Sequence, residues 1–185
     1  MSDATSTSRS SAQSTFLPVV VLLTICMVAG ALLGLVHSVT SPIAEANAQQ
    51  KAQETYALLV PEADSFEPVP CEVEGCTAAL EARDASGAVI AHVIVAQSKG
   101  YGGQVPIAVA FGSDGTVSSI TTMSNEETPG LGTKVADESY IGQYVGMAAA
   151  PASQGDVDLI SGATISSKAV LAAYNIAVEA YEEVR

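Results

Sequence analysis

Positive charge is what this chain lacks most: 7 Lys and Arg stand against 20 Asp and Glu, a formal net charge of -13. Most of the acid lies after residue 40. That part of the chain repels nucleic acid and anionic lipid headgroups, so nucleic-acid binding is not expected. Histidine is almost missing, with His37 beside an apolar run and His92 inside a predicted strand. No metal site is therefore predicted. The P-loop, the HExxH pair and any Ser–His or Cys–His arrangement with an orienting acid are also absent, and no catalytic residue is assigned. Finally, no Asp, Glu, Lys or Arg occurs between Arg9 and Glu45.

That uncharged stretch explains a mean hydropathy of +0.33 in so acidic a chain. Leu17 to Val39 is almost wholly apolar. At about 1.5 Å rise per residue it is long enough for a hydrocarbon core of roughly 30 Å. Pro18 falls at its start, where a helix tolerates proline. The spacing predicts a disordered cytoplasmic tail over 1–15, a transmembrane helix over 16–39, a stalk helix over 40–60 and an extracytoplasmic domain over 61–185. A cleaved signal peptide is the alternative, since Ala46-Asn47-Ala48 offers a small-x-small site, but signal apolar regions usually run only about 7–15 residues. Lipidation at Cys26 is disfavoured because Ile25 before it is not small. Arg9 and Lys51 lie on opposite sides of the span, which points to a cytoplasmic N-terminus and a main domain outside the cell membrane.

In that oxidising compartment Cys71 and Cys76, spaced as Cys71-Glu72-Val73-Glu74-Gly75-Cys76, are expected to close a small disulfide loop. No haem-attachment pattern follows either one. The segment Glu62 to Gly75 reads as an acidic loop. Ala78–Arg83 and Ala88–Gln97 read as one hairpin around Asp84-Ala85-Ser86-Gly87, and Val105–Phe111 with Val117–Met123 as a second. A short helix is expected over Ser139–Val145. The closing helix, about Ser166 to Glu183, carries Val170, Tyr174, Ala177, Val178 and Tyr181 along one face. The fold class is α+β: one N-terminal transmembrane helix, then a small domain of antiparallel hairpins flanked by helices.

Three short segments carry the chemistry. Gly100-Tyr101-Gly102-Gly103 lacks Rossmann spacing and by itself reads as a strand-connecting turn. Glu127-Thr128-Pro129-Gly130-Leu131-Gly132 has the residues of any tight turn, plus a carboxylate and a hydroxyl. In Asp158-Leu159-Ile160-Ser161-Gly162-Ala163-Thr164, small residues leave Thr164 open to a bulky modifier, and a helix begins just after it. A helix N-terminus supplies unpaired N–H groups and a positive dipole end, which suit a phosphate. On physical grounds alone, an ordinary Ser/Thr N-cap remains the commoner explanation.

The segment Asp158 to Thr164 matches the Asp-x-x-Ser-Gly-Ala-Thr motif at which a flavin transferase attaches FMN to threonine as a phosphoester. With the membrane helix, the stalk and the two glycine-containing segments in the same order, the chain resembles the G subunit of Rnf complexes. More distantly, it is similar to the C subunit of the sodium-pumping NADH:quinone reductase. The resemblance implies covalent FMN on Thr164, with Ser161, Gly162 and Ala163 shaping the attachment turn. It also implies that Glu127, Thr128, Gly130, Leu131 and Gly132 lie against the isoalloxazine ring, with Tyr101, Gly102 and Gly103 nearby. Asn125 stands where many relatives have histidine, which removes an expected proton carrier but not the flavin link.

The implied function is electron transfer within an ion-translocating ferredoxin:NAD oxidoreductase, with the other Rnf subunits as partners and a flavin transferase acting during maturation. Such a subunit is part of an enzyme without activity of its own. A stand-alone extracellular flavoprotein serving an external acceptor, or a tethered binding module with an unmodified turn, are the competing readings.

Overall fold

The computed structural model describes residues 10–185. The chain divides into two compact units, Met1–Lys51 and Ala52–Arg185. Helix α1, Ser10–Leu59, takes in both the expected membrane and stalk segments. Of the tail expected over 1–15, residues 1–9 lie outside the described residues. The remainder is helical, because extending an existing helix costs far less than nucleating one.

In the first unit, Pro18–Ser38 is long and apolar enough to cross a membrane. Its large side chains are uncovered all round, from Val20 at 42% exposed to Leu33 at 72%. Two hydroxyls in this stretch turn back onto helix carbonyls, Thr24 Oγ1 to Val20 O at 2.8 Å and Ser38 Oγ to Leu35 O at 2.9 Å. Donors in an apolar setting need such internal acceptors.

The second unit is the α+β domain expected. Five strands, β1 (Ser65–Val69), β2 (Cys76–Arg83), β3 (Val89–Lys99), β4 (Gln104–Gly112) and β5 (Val117–Thr122), form one antiparallel meander in chain order. Side chains alternate across a strand, so β3 and β4 serve two apolar layers. Ile94, Ala96, Val105, Ile107, Val109 and Phe111 face helix α3 (Thr164–Val184) and its Val170, Tyr174, Ala177, Val178 and Tyr181. Val93, Val95, Ala108 and Ala110 belong to the other layer, with Tyr56, Leu59 and Val60. Phe111 and Tyr181 stack at 4.5 Å between ring centroids.

β1 corrects the loop expected over Glu62–Gly75. Its proline and acidic residues argued against a strand, but β1 is the sheet edge and pairs only with β2, Pro68 lying opposite Leu80. An edge strand needs no donor on its outer side, so it accepts proline. The expected helix over Ser139–Val145 is shorter and split: α2 is Glu138–Ile141 and a 3-10 turn, Gly142–Tyr144, follows it. Another 3-10 turn, Gly132–Ala136, precedes α2.

Candidate functional site

The turn between β3 and β4, the loop after β5 and the first turn of α3 meet at one buried carboxylate. Asn125 sets its direction: its amide donates to Met123 O at 3.2 Å and its oxygen accepts the Glu127 N–H at 3.2 Å. Glu127, only 4% exposed, then points inward. Its Oε1 accepts the N–H groups of Tyr101 at 2.8 Å and Gly102 at 3.0 Å. Its Oε2 accepts the Ser166 hydroxyl from α3. Burial pushes this carboxyl up, but the bonds from Ser166, Gly102, Tyr101 and Gly103 outweigh it and hold the group below its ordinary range. The approach is close enough that a Cβ on Gly102 would strike the Glu126 carbonyl oxygen. Glycine there is a packing requirement.

The attachment turn is built with equal economy. The Ala163 N–H returns to Ile160 O at 3.0 Å, with Gly162 at φ +84 in the third position of the turn. That is the place where a type II turn demands a positive φ. Ser167, fully buried, locks the turn from behind: its hydroxyl accepts the Ile160 N–H at 3.1 Å and donates to Ala163 O at 3.0 Å. The Tyr140 hydroxyl, buried beside Tyr144, donates to Ser167 O at 2.9 Å. The Gln143 side chain clamps Asp158 through that residue's backbone N–H at 2.7 Å and C=O at 3.4 Å.

Thr164 is the first residue of α3 and is exposed. The residue before it, Ala163, is the N-cap, and no side chain caps the helix there. Thr164 is thus not the ordinary hydroxyl cap that its sequence setting allowed. The N–H groups of Thr164, Ile165 and Ser166 open the helix and have no acceptor within it.

A cleft of about 470 Å³ lies over this junction, lined by Tyr101, Glu127, Thr128, Leu131, Gly132, Gly162, Ala163, Thr164, Ile165 and Ser166. Its rim is apolar and open: Tyr101 is 72%, Ile165 54% and Leu131 45% exposed. Volume and lining are those of a small-molecule site. The three segments singled out in the sequence therefore converge. Within them, Ser161, Gly102, Gly103 and Gly130 do not line the cleft, whereas Glu127 both lines it and braces the β3–β4 turn against α3. Lys134, a conceivable phosphate partner, lies instead in a neighbouring concavity with Asp137 and Asp158.

Ile165, Ser166, Ser167, Tyr140 and Gln143 were missed by sequence reasoning. The Ser166-Ser167 pair in the first helical turn was the available signal, since hydroxyls there are placed to bond backbone groups. Nothing local marks Tyr140 or Gln143. Cys71 and Cys76 lie away from the cleft and carry free thiols.

A cleft of this size and lining defines a small-molecule-binding domain, and residues 100–179, which span it, match the FMN-binding domain family. The G subunit of the proton-translocating ferredoxin:NAD(+) oxidoreductase complex of Clostridium ljungdahlii is 33% identical over 161 residues, covering 83% of this chain and 84% of that one. The G subunit of the ion-translocating oxidoreductase complex of Methanosarcina acetivorans is 33% identical over 171 residues, covering 87% and 91%. The crystal structure of Shewanella oneidensis NqrC aligns with 67% of this chain and 70% of its own, at 21% identity and a TM-score of 0.48. The chain belongs to the family of G subunits of ion-translocating, Rnf-type oxidoreductase complexes.

Proposed function

We propose that this chain is an electron-transfer subunit whose FMN is joined through its phosphate to Oγ1 of Thr164. The observation that carries the reading is the position of Thr164: an exposed hydroxyl on the first residue of a 21-residue helix, at the edge of a cleft of about 470 Å³. The residues fit the group. The opening N–H groups of α3 suit a phosphate, while Tyr101, Leu131 and Ile165 offer apolar surface to a flat ring. FMN supplies the capacity to take up and release electrons one or two at a time. The protein's part is position: Glu127 fixes the relation between the β3–β4 turn and α3, and Ser167 fixes the turn that presents Thr164.

The same reading assigns the wider setting. A flavin transferase recognises the turn 158–164 during maturation. The subunit sits in the cell membrane by Pro18–Ser38, N-terminus in the cytoplasm and the domain over 61–185 outside. It works within a ferredoxin:NAD oxidoreductase, the activity named for its Clostridium ljungdahlii relative. Neighbouring subunits deliver and remove the electrons.

Intact-mass measurement of protein from its own membranes tests the link. One FMN per chain should survive denaturation in wild type and be absent in Thr164→Val; an adduct retained by the variant refutes the site. In the same membranes, complex assembly should persist in the variant while ferredoxin:NAD electron transfer and the linked ion gradient collapse together. Unchanged electron transfer without flavin sinks the relay.

A further inference from the structure

At the opposite end of α3 from Thr164, the connection between β1 and β2 folds back on itself. The Cys76 N–H donates to Val73 O at 3.0 Å, and Gly75, at φ +91, presents its carbonyl to the Gln97 N–H of β3 at 2.9 Å. This turn brings Cys76 back toward Cys71, close enough for Cys71 to act on the Cys76 thiol. Both are half-buried against the core layer that α3 covers, as is Val73 between them. Glu183 in the last turn of α3 completes the cluster. Its carboxylate accepts the Glu72 N–H at 3.1 Å and lies 3.8 Å from Cys71 Sγ, while the Cys76 thiol points to Ala78 O at 3.7 Å.

We propose that Cys71 and Cys76 are a dithiol that closes to an intramolecular disulfide by exchange with an external disulfide, fixing the loop that docks on the end of α3. Neither the flavin nor the family assignment enters this inference. Three features support it. Backbone bonds already hold the loop in the reversed shape, so closure requires little reorganisation. Both cysteine side chains pack against the same core layer. And Cys76 is poorly suited to independent chemistry: burial, then the neighbouring Cys71, pushes its thiol up to about 12, so little of its thiolate forms near neutral pH. Such a pair is a fastening and not a reactive centre.

The step balances with a disulfide as oxidant. One cysteine, as thiolate, attacks a sulfur of the external disulfide, forming a mixed disulfide and releasing one thiolate. The second cysteine, as thiolate, then attacks the protein-bound sulfur, forming the internal bond and releasing the other half. Two protons leave the protein, and the external disulfide is reduced to two thiols.

The test uses the full-length chain in detergent with Cys26→Ser, purified under reductant, and oxidised glutathione as the probe. Intact mass should fall by two hydrogens with no glutathione retained, and both thiols should become unreactive to a maleimide after denaturation. Further removal of either partner, Cys71→Ser or Cys76→Ser, should instead leave one glutathione attached to the remaining cysteine. Closure should raise Tm by about 2–6 °C over the reduced form. Glutathione retained on the chain that has both cysteines, or thiols that stay free in it, overturns the proposal.

Discussion

Removing the Glu127 carboxylate should loosen the whole cleft, and the size of the effect follows from its partners. Glu127→Ala strips the acceptor from two half-buried backbone N–H groups, Tyr101 and Gly102, and from the buried Ser166 hydroxyl. An orphaned buried donor costs about 1–3 kcal/mol. Ser166 can turn to a helix carbonyl, so two donors dominate; water entering from the cleft and relief from burying a charge return part of the loss. The expected cost is about 2–4 kcal/mol. Glu127→Gln should cost only about 1 kcal/mol, because its oxygen still serves both N–H groups and its amide can donate to Ser166. Urea unfolding of the detergent-solubilised chain, followed by tyrosine near-UV signals, measures both. The pH dependence separates charge from shape. The folded carboxyl is held below the ordinary value of 4.5, so the wild-type advantage over Gln is full above that value and fades as pH falls through the depressed one. An Ala variant within about 0.5 kcal/mol of wild type, the range of a surface change, would refute the brace, as would a Gln variant as damaged as Ala.

Ser167→Ala should cost about 1–2 kcal/mol by stranding the Ile160 N–H, and should slow flavin attachment by the transferase although Thr164 is untouched; attachment at the wild-type rate would detach Ser167 from presentation of the turn. For topology, protease added to spheroplasts should remove the C-terminal domain, and digestion only after lysis would reverse the orientation.

The two hairpins were legible because alternating apolar residues and Asp/Gly turns coincide. Asp84 Oδ1 accepts the Ser86 and Ala88 N–H groups, and Asp114 Oδ1 accepts that of Thr116, so the turn chemistry lies within the residues that announce it. α3 was legible from its apolar face, and the apolar span from its length. β1 was not, since its evidence is a neighbour: Pro68 and Glu67 form a strand only because Leu80 and Glu81 offer an open edge. Nor was the extent of α2, where the chain tightens into 3-10 geometry.

The same distinction governs the site. Thr164 and Gly162 were singled out by the resemblance, the residues alone allowing an ordinary N-cap, and both line the cleft. Glu127 could be singled out but not understood. Its partners stand 26 residues earlier, at Tyr101, and 39 residues later, at Ser166. By itself its segment has the residues of any tight turn, and only the resemblance implied a contact with the ring. Once those partners are in place, its oxygens are committed to protein donors, while Tyr101, Leu131 and Ile165 form the exposed rim of the cleft. Asn125 fits the same account. Its amide is occupied with Met123 O and the Glu127 N–H, a pairing of donor and acceptor that needs no titrating group. Asn125 therefore acts on the cleft by aiming Glu127.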